Sequence, residues 1–308
     1  MSHLNASNLF SVKGLVAVVT GGGSGLGRTM ALTLATNGAS KVYVVGRRAD
    51  ALNETATLGP RDIIVPVQGD ISSQESLEGV YNTLAAQTTH VDLLIANSGA
   101  MGPEARPQPS TKPDGGGGKP SIAEIRDQLW AVPKAEFSDV LDVNVSGTYY
   151  TVVALLPLLD AANKRRSTSA DPNVVPPPRP QVLVTSSIAG FNRFVPYSFA
   201  YSLSKAAATH LVKMLATVFG EYDIRVNGIA PGLYHSELSG PLFESRGIQG
   251  RGVAEGSFPR EAIPATRAGA EEDIAGAILW LAGPAGAYVN GNIVVTDGGR
   301  LGVVPSSY

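Results

Sequence analysis

Thr20-Gly21-Gly22-Gly23-Ser24-Gly25-Leu26-Gly27 stands directly after the apolar run 15–20 and opens a stretch of helical length, 25–37. Gly21 lets the run turn sharply, and Gly25 permits close approach of a pyrophosphate to the backbone. Gly27 lets helix and strand pack closely, which leaves the helix N-terminus open to phosphate groups. A glycine string by itself also describes a flexible turn. The strand before it and the helix after it turn the string into a dinucleotide-binding signature. Gly21, Ser24, Gly25, Leu26 and Gly27 are therefore the first predicted cofactor contacts.

The pattern repeats outward from this loop. Short, nearly unbroken apolar runs recur at 15–20, 41–45, 63–67, 92–96, 181–186, 224–230 and 292–296. Runs this short and rich in Val and Ile read as strands buried on both faces. Helical stretches at 25–37, 48–58, 73–87, 136–160, 199–219 and 271–282 lie between them. Such alternation predicts an α/β fold: one Rossmann-type doubly wound sandwich, its seven-stranded sheet mostly parallel, with helices on both faces. Pro66 is the awkward strand residue, because a central strand would lose a ladder bond there.

The chain has 308 residues, 24 basic against 26 acidic side chains, and no Cys. Zero Cys excludes disulfides, thiolate metal sites and a cysteine nucleophile. The near-neutral charge gives no reason to expect nucleic acid or an anionic membrane as a partner. No apolar run approaches a membrane span, and residues 1–8 lack a signal peptide's apolar stretch. These features predict a cytoplasmic protein. His3, His90, His210 and His235 show no metal-ligand spacing, so no metal is expected.

The length fits one domain over 1–308, with a core at about 10–302 and two interruptions. Residues 102–120 hold five Pro and the run 115–118 of four Gly. Residues 163–180 hold five Pro and Lys164-Arg165-Arg166. Neither shows apolar periodicity, so both read as exposed insertions, with the basic cluster in a solvated loop.

Tyr201 and Lys205 are four apart in a helical stretch, which puts both on one face. A free tyrosine has a pKa of about 10. A neighbouring ammonium, with the charge on an oxidised nicotinamide, favours phenolate and lowers that value. Proton exchange with a carbonyl or alcohol oxygen then becomes feasible near neutrality.

The spacing of the glycine loop, together with these residues, resembles the short-chain dehydrogenase/reductase family. Other marks follow in the family's order: Asp70-Ile71, Asn97-Ser98-Gly99-Ala100, Pro231-Gly232 and Asp297-Gly298-Gly299. The resemblance implies catalysis by Asn144, Ser187, Tyr201 and Lys205. Ser187 lies 14 residues before Tyr201, one more than the family often shows, and Ser186 is the fallback. It further implies that Asp70 meets the adenine ring and that Asn144 holds a water relaying protons to Lys205. Ile71, Asn97, Gly99, Pro231, Gly232 and Ser236 join the cofactor contacts, Ser236 at the nicotinamide amide. The second run ends Gly46-Arg47-Arg48, where an NAD enzyme would carry a carboxylate for the ribose hydroxyls. With none there to repel a 2′-phosphate, and two guanidiniums to bind it, NADP(H) is the expected cofactor.

Residues 233–264 correspond to the family's mobile lid. Its glycines suit closure over a ligand, and Leu238, Leu242, Phe243, Ile248 and Phe258 suggest a fairly nonpolar substrate. Phe191, Phe194 and Tyr197 are expected as pocket walls. Three readings stand: a ketoreductase or alcohol dehydrogenase of the secondary-metabolite kind; a 3-oxoacyl or hydroxysteroid-type reductase; and a noncatalytic NADP-binding sensor or scaffold. The resemblance also implies a homodimer or homotetramer built through the long helices 136–160 and 199–219.

Overall fold

Val16, Ala17, Val18 and Val19 are all buried, and they divide alternately between two apolar layers. This is the physical reason that the apolar runs are unbroken, because each strand is covered on both faces. The computed structural model describes residues 2–109, 118–167, 171, 174–245, 247–248 and 250–308. Its strands are β1 (Val16–Thr20), β2 (Lys41–Gly46), β3 (Ile64–Gln68), β4 (Leu93–Ala96), β5 (Gln181–Thr185), β6 (Arg225–Pro231) and β7 (Ile293–Thr296). They form one sheet in the order β3-β2-β1-β4-β5-β6-β7. Every pair is parallel, where the sequence suggested mostly parallel. Pro66 sits in β3 opposite Val44. That strand closes one edge of the sheet, where proline is tolerated.

The helices are α1 (Ala6–Leu9), α2 (Gly25–Thr36), α3 (Ala49–Leu58), α4 (Gln74–Ala85), α5 (Ile122–Trp130), α6 (Lys134–Leu141), α7 (Thr148–Arg165), α8 (Phe199–Gly220), α9 (Gly240–Ser245) and α10 (Glu271–Ala282). One face of the sheet meets Leu84 of α4, Leu155 and Leu159 of α7, and Val212 of α8. The other meets Met30 and Leu34 of α2, Leu52 of α3, and Ile274 and Ile278 of α10. Each such side chain gains about 1.5–3 kcal/mol by burial, so the two layers fix the crossovers. Between β1 and β4 the direction of winding reverses, which opens a crevice at their C-terminal ends.

Three departures from the sequence reading have physical causes. The expected helix 136–160 is two helices joined by a π-helical turn, Asp142–Gly147. A β-carbon on Gly147 would lie 2.9 Å from Ile71, so the turn packs tightly at this point. The stretch Lys134–Arg165 has the length and mean hydropathy (1.3) of a membrane span. Its buried face nevertheless lies on the sheet. Helix α5 lies just beyond the first insertion, opened by a reciprocal capping box between Ser121 and Glu124. That Ser-x-x-Glu signal stood in the sequence and was missed.

The described parts of both insertions are mostly exposed, while 110–117, 168–170 and 172–173 lie outside the described residues, including Gly115–Gly117 of the glycine run. Lys164 and Arg165 are corrected from loop to the last turn of α7, where cations complement the helix C-terminus. Arg166 is not simply solvated either. Its guanidinium donates to the Pro177 carbonyl at 2.7 Å.

Candidate active site

The glycine loop leaves β1 and enters α2 with Gly21 and Gly25 at φ +66° and +51°. A β-carbon on Gly27 would lie 2.1 Å from the Gly21 carbonyl oxygen, so only glycine allows this crossing. Arg28 holds the loop's shape by donating to the Gly23 carbonyl at 2.7 Å while pairing with Glu54 at 2.7 Å. Ser24 occupies the N-cap position, yet its side chain makes no capping bond. The uncapped first turn, with Ser24, Gly25 and Leu26, lines a cavity of about 810 Å³.

The Ser24 hydroxyl turns instead to Glu237, 3.1 Å away. Arg48 donates to the same carboxylate oxygen at 2.6 Å and to Ser24 at 3.3 Å. This corrects the expectation that the Arg47–Arg48 corner holds no carboxylate. The end of β2 lacks one, and the segment after β6 delivers it. The bond to Arg48, followed by that to Ser24, holds Glu237 below the usual carboxylate range. Arg47 is exposed beside the same cavity, and its carbonyl accepts from Gln68.

The remaining predicted contacts gather around this cavity. Asp70 accepts from the Ser72 amide and hydroxyl at 2.9 and 2.7 Å, which keeps it ionised. Ile71, Gly99, Pro231, Gly232 and Ser236 all line the cavity. Asn97 ties the loop to the end of β4, its side chain donating to the Thr20 carbonyl at 3.1 Å. Ser236 packs against the loop, since a β-carbon on Gly25 would stand 3.1 Å from its own.

Tyr201 lies in the first turn of α8, whose N-cap Ser198 accepts the Tyr201 amide at 3.1 Å. Ser187, just past β5, stands beside the Tyr201 hydroxyl, and its own hydroxyl accepts the Ala189 amide at 3.1 Å. Ser186 is used elsewhere: its hydroxyl donates to the Lys205 carbonyl at 2.9 Å and bonds Thr209 at 2.7 Å. The fallback serine therefore links β5 to α8, and Ser187 faces the tyrosine. Lys205 Nζ lies 5.8 Å from the Tyr201 ring centre and donates to the Thr185 carbonyl at 2.9 Å.

Asn144 is buried in the π-helical turn. Its amide donates to the Ala100 carbonyl and to Ser204 at 2.8 and 2.9 Å, and its side-chain oxygen accepts the Ala100 amide at 2.8 Å. Three of that side chain's four hydrogen-bonding positions are thus taken by protein groups.

The electrostatics differ from the sequence expectation. Burial pushes the Tyr201 phenol up, and the neighbouring Ser187 side chain offsets this only in part. Lys205 does not pull it down here, because desolvation weakens that ammonium too, lowering its pKa to about 8. The lysine should leave a mark on stability. Below pH 8 it is protonated in both folded and unfolded chains. As pH rises from about 8 towards its unfolded value, the unfolded chain holds the extra proton and stability rises. Lys205→Met should remove this component, on the order of 3 kcal/mol. Denaturant unfolding of both proteins at pH 7, 8.5 and 10 checks it, and parallel stability curves would contradict it.

Of the expected pocket walls, Tyr197 lines the cavity and donates to the Gly102 carbonyl at 3.1 Å. Phe191 and Phe194 are corrected to other tasks. Phe191 stacks edge-on against Tyr308 and Phe194 lies beneath Arg300, so contacts near the C-terminus claim both rings. Asn192 and Pro196 from the same segment line the cavity instead, as do Val143, Ile188, Ala189, Leu233 and Leu238. Phe243, Phe258 and Ile248 form a small core of their own with Ile263, which explains most of that segment's apolar content. The side chain of Leu242 lies outside the described residues. Glu237, Arg28 and Arg300 are site residues that sequence reasoning missed.

The cavity fits an extended dinucleotide. It runs from the uncapped glycine turn past Asn97 and Gly99 to Ser187 and Tyr201. Added β-carbons at Gly21, Gly25 or Gly27 would strain or crowd its floor. A parallel sheet wound both ways from this crevice defines a Rossmann-type nucleotide-binding protein. The model of the short chain dehydrogenase family matches residues 15–247, and the chain belongs to that family of oxidoreductases.

Among its relatives is short-chain dehydrogenase/reductase PhomF of Diaporthe leptostromiformis, 42% identical over 99% of this chain and 97% of that protein. The Pseudomonas aeruginosa RhlG/NADP active-site complex is 29% identical with a TM-score of 0.73, covering 95% of this chain and 98% of that one. A 7α-hydroxysteroid dehydrogenase complexed with NADH and 7-oxo glycochenodeoxycholic acid is 28% identical with a TM-score of 0.72, covering 96% and 98%.

Proposed function

We propose that the protein is an NADP(H)-dependent oxidoreductase that interconverts a ketone and a secondary alcohol. The observation that carries this reading is the convergence of Ser187, Tyr201 and Lys205 on the cavity that begins at the glycine loop. A bound nicotinamide cofactor supplies or accepts the hydride. The Tyr201 hydroxyl gives the proton to the carbonyl oxygen in one direction and takes it back in the other. Ser187 hydrogen-bonds the same oxygen and holds it against Tyr201. Lys205 binds the ribose on the nicotinamide side. Asn144 serves the proton relay to Lys205, its main-chain carbonyl accepting the Thr148 hydroxyl at 2.9 Å.

At the other end, Arg47 and Arg48 take the 2′-phosphate, Asp70 and Ile71 frame the adenine, and Ser236 meets the nicotinamide amide. Val143, Ile188, Pro196 and Leu238 support a fairly nonpolar substrate. Exposed Tyr149, Tyr150 and Val153 on α7, with Leu203, Met214 and Val218 on α8, support a homodimer or homotetramer. The absence of Cys suits a cytoplasmic setting.

A second reading, NAD(H) as cofactor, is favoured by Glu237, whose carboxylate could accept ribose hydroxyls. The two solved relatives are named as complexes of different cofactors, one with NADP and one with NADH. Likeness alone therefore does not choose between them. The test is reduced-cofactor oxidation with a panel of bulky ketones, including 3-oxoacyl and oxosteroid compounds, alongside NADPH and NADH titrations. Arg48→Ala should weaken NADPH about 5- to 50-fold and spare NADH. Inactivity on every ketone despite tight NADPH binding would return the sensor or scaffold reading.

A further inference from the structure

Glu237, Arg48 and Ser24 meet across the mouth of the cavity from three distant parts of the chain. The glutamate follows β6, the arginine precedes α3, and the serine opens α2. One carboxylate oxygen, Oε2, takes hydrogen bonds from both Arg48 and Ser24. Arg48 uses a single nitrogen, Nη2, for both of its contacts here. An anion is thus already seated on the guanidinium, beside the loop that lines the cofactor cavity. Arg28 adds a further positive field at the same carboxylate. The pair is more than half exposed on both sides, so its own strength is modest and it can open.

We infer that Glu237 is an internal stand-in for the 2′-phosphate and sets the cofactor preference, competing with that phosphate for Arg48. This rests on the reading that Arg48 receives the 2′-phosphate. Binding NADP(H) then exchanges one anion for another on the guanidinium, and the exposed Glu237 side chain rotates off Arg48 while the turn that carries it stays in place. Ser236 and Ser239 brace that turn by bonding each other at 3.1 Å, so the carboxylate is held at the mouth by a defined structure. Binding NAD(H) requires no such exchange. Glu237 therefore costs affinity for the phosphorylated cofactor and spares the other, which narrows a preference that the two arginines alone would make wide.

The experiment is calorimetric titration of the whole protein and of Glu237→Gln, Arg48→Ala and the double variant. The probes are NADPH, NADH, adenosine 2′,5′-bisphosphate and adenosine 5′-monophosphate. Glu237→Gln should tighten NADPH and the bisphosphate about three- to tenfold. NADH and the monophosphate should stay within about twofold, and in the Arg48→Ala background the tightening should fall below about twofold. Thermal melting of each variant confirms that it is folded, and Glu237→Ser serves as a second neutral replacement.

Unchanged or weakened NADPH binding in both neutral variants, with Arg48→Ala still losing NADPH selectively, overturns the competition and leaves the 2′-phosphate site standing. Arg48→Ala that does not alter the NADPH-to-NADH ratio overturns both.

Discussion

Tyr201→Phe is expected to lower turnover of NADPH with a reducible ketone by about 10²- to 10⁴-fold. NADPH affinity should change by no more than about twofold, because the lost hydroxyl belongs to the chemical step. The geometry carries this expectation. The phenol sits in the first turn of α8 beside Ser187, and Lys205 lies 5.8 Å from its ring centre. Phenylalanine keeps the ring and its packing and removes only the proton carrier. The protein's own groups hold the phenol above its ordinary range, so Tyr201 stays protonated near neutrality. Wild-type ketone reduction should therefore fall only at high pH, as Tyr201 ionises, while alcohol oxidation should rise with pH. Steady-state kinetics and an equilibrium titration of the same variant separate the two effects. Turnover within tenfold of wild type would assign the proton to another group, with Ser187 the first candidate.

Gly27→Ala should be the most damaging change in the cofactor cradle. Its β-carbon would meet the Gly21 carbonyl oxygen at 2.1 Å and the Asn97 side-chain nitrogen at 2.5 Å. The first of these is backbone and cannot turn aside. Either α2 lifts from β1 or the loop opens, and both spoil the turn that faces the phosphates. Overpacking of this kind costs about 1–3 kcal/mol of stability. Spread onto the binding site, the same strain corresponds to about a 10- to 100-fold loss of NADPH affinity. Gly79→Ala is the matched control, since nothing lies within 4 Å of its added β-carbon in α4. It should be neutral or stabilising by about 0.4–1 kcal/mol. Titration and thermal melting read both variants. NADPH binding by Gly27→Ala at wild-type strength would mean that the phosphates lie elsewhere.

The sheet was legible because its strands are buried on both faces. Val42, Val44 and Val45 of β2, like Leu93, Leu94 and Ile95 of β4, are sealed by helices on either side, so their runs carry no polar interruption. The glycine loop was legible for a related reason, as backbone contact at Gly27 excludes every side chain. Tyr201 and Lys205 declared themselves through local helical spacing.

What escaped the sequence was mostly long-range. Glu237 reaches Arg48 across 189 residues, and no local pattern announces such a pair. Phe191 and Phe194 have the chemistry of pocket walls, but Tyr308 and Arg300 engage them from the far end of the chain. The π-helical turn at Asn144 arises from Gly147 packing on Ile71 and from the Ala100 bonds, again tertiary causes. Helix α5 is different in kind. Its capping box was readable and was overshadowed by the proline-rich stretch before it.

The central claim is that this cavity moves a hydride between a nicotinamide and a carbonyl carbon. Its most direct test is incubation with NADPH deuterated at the transferable position and a panel of bulky nonpolar ketones, followed by mass spectrometry of the alcohols. The claim predicts one deuterium on the carbinol carbon of at least one product, and none with Tyr201→Phe over the same interval. Tight NADPH binding with no deuterium transferred to any ketone would contradict it.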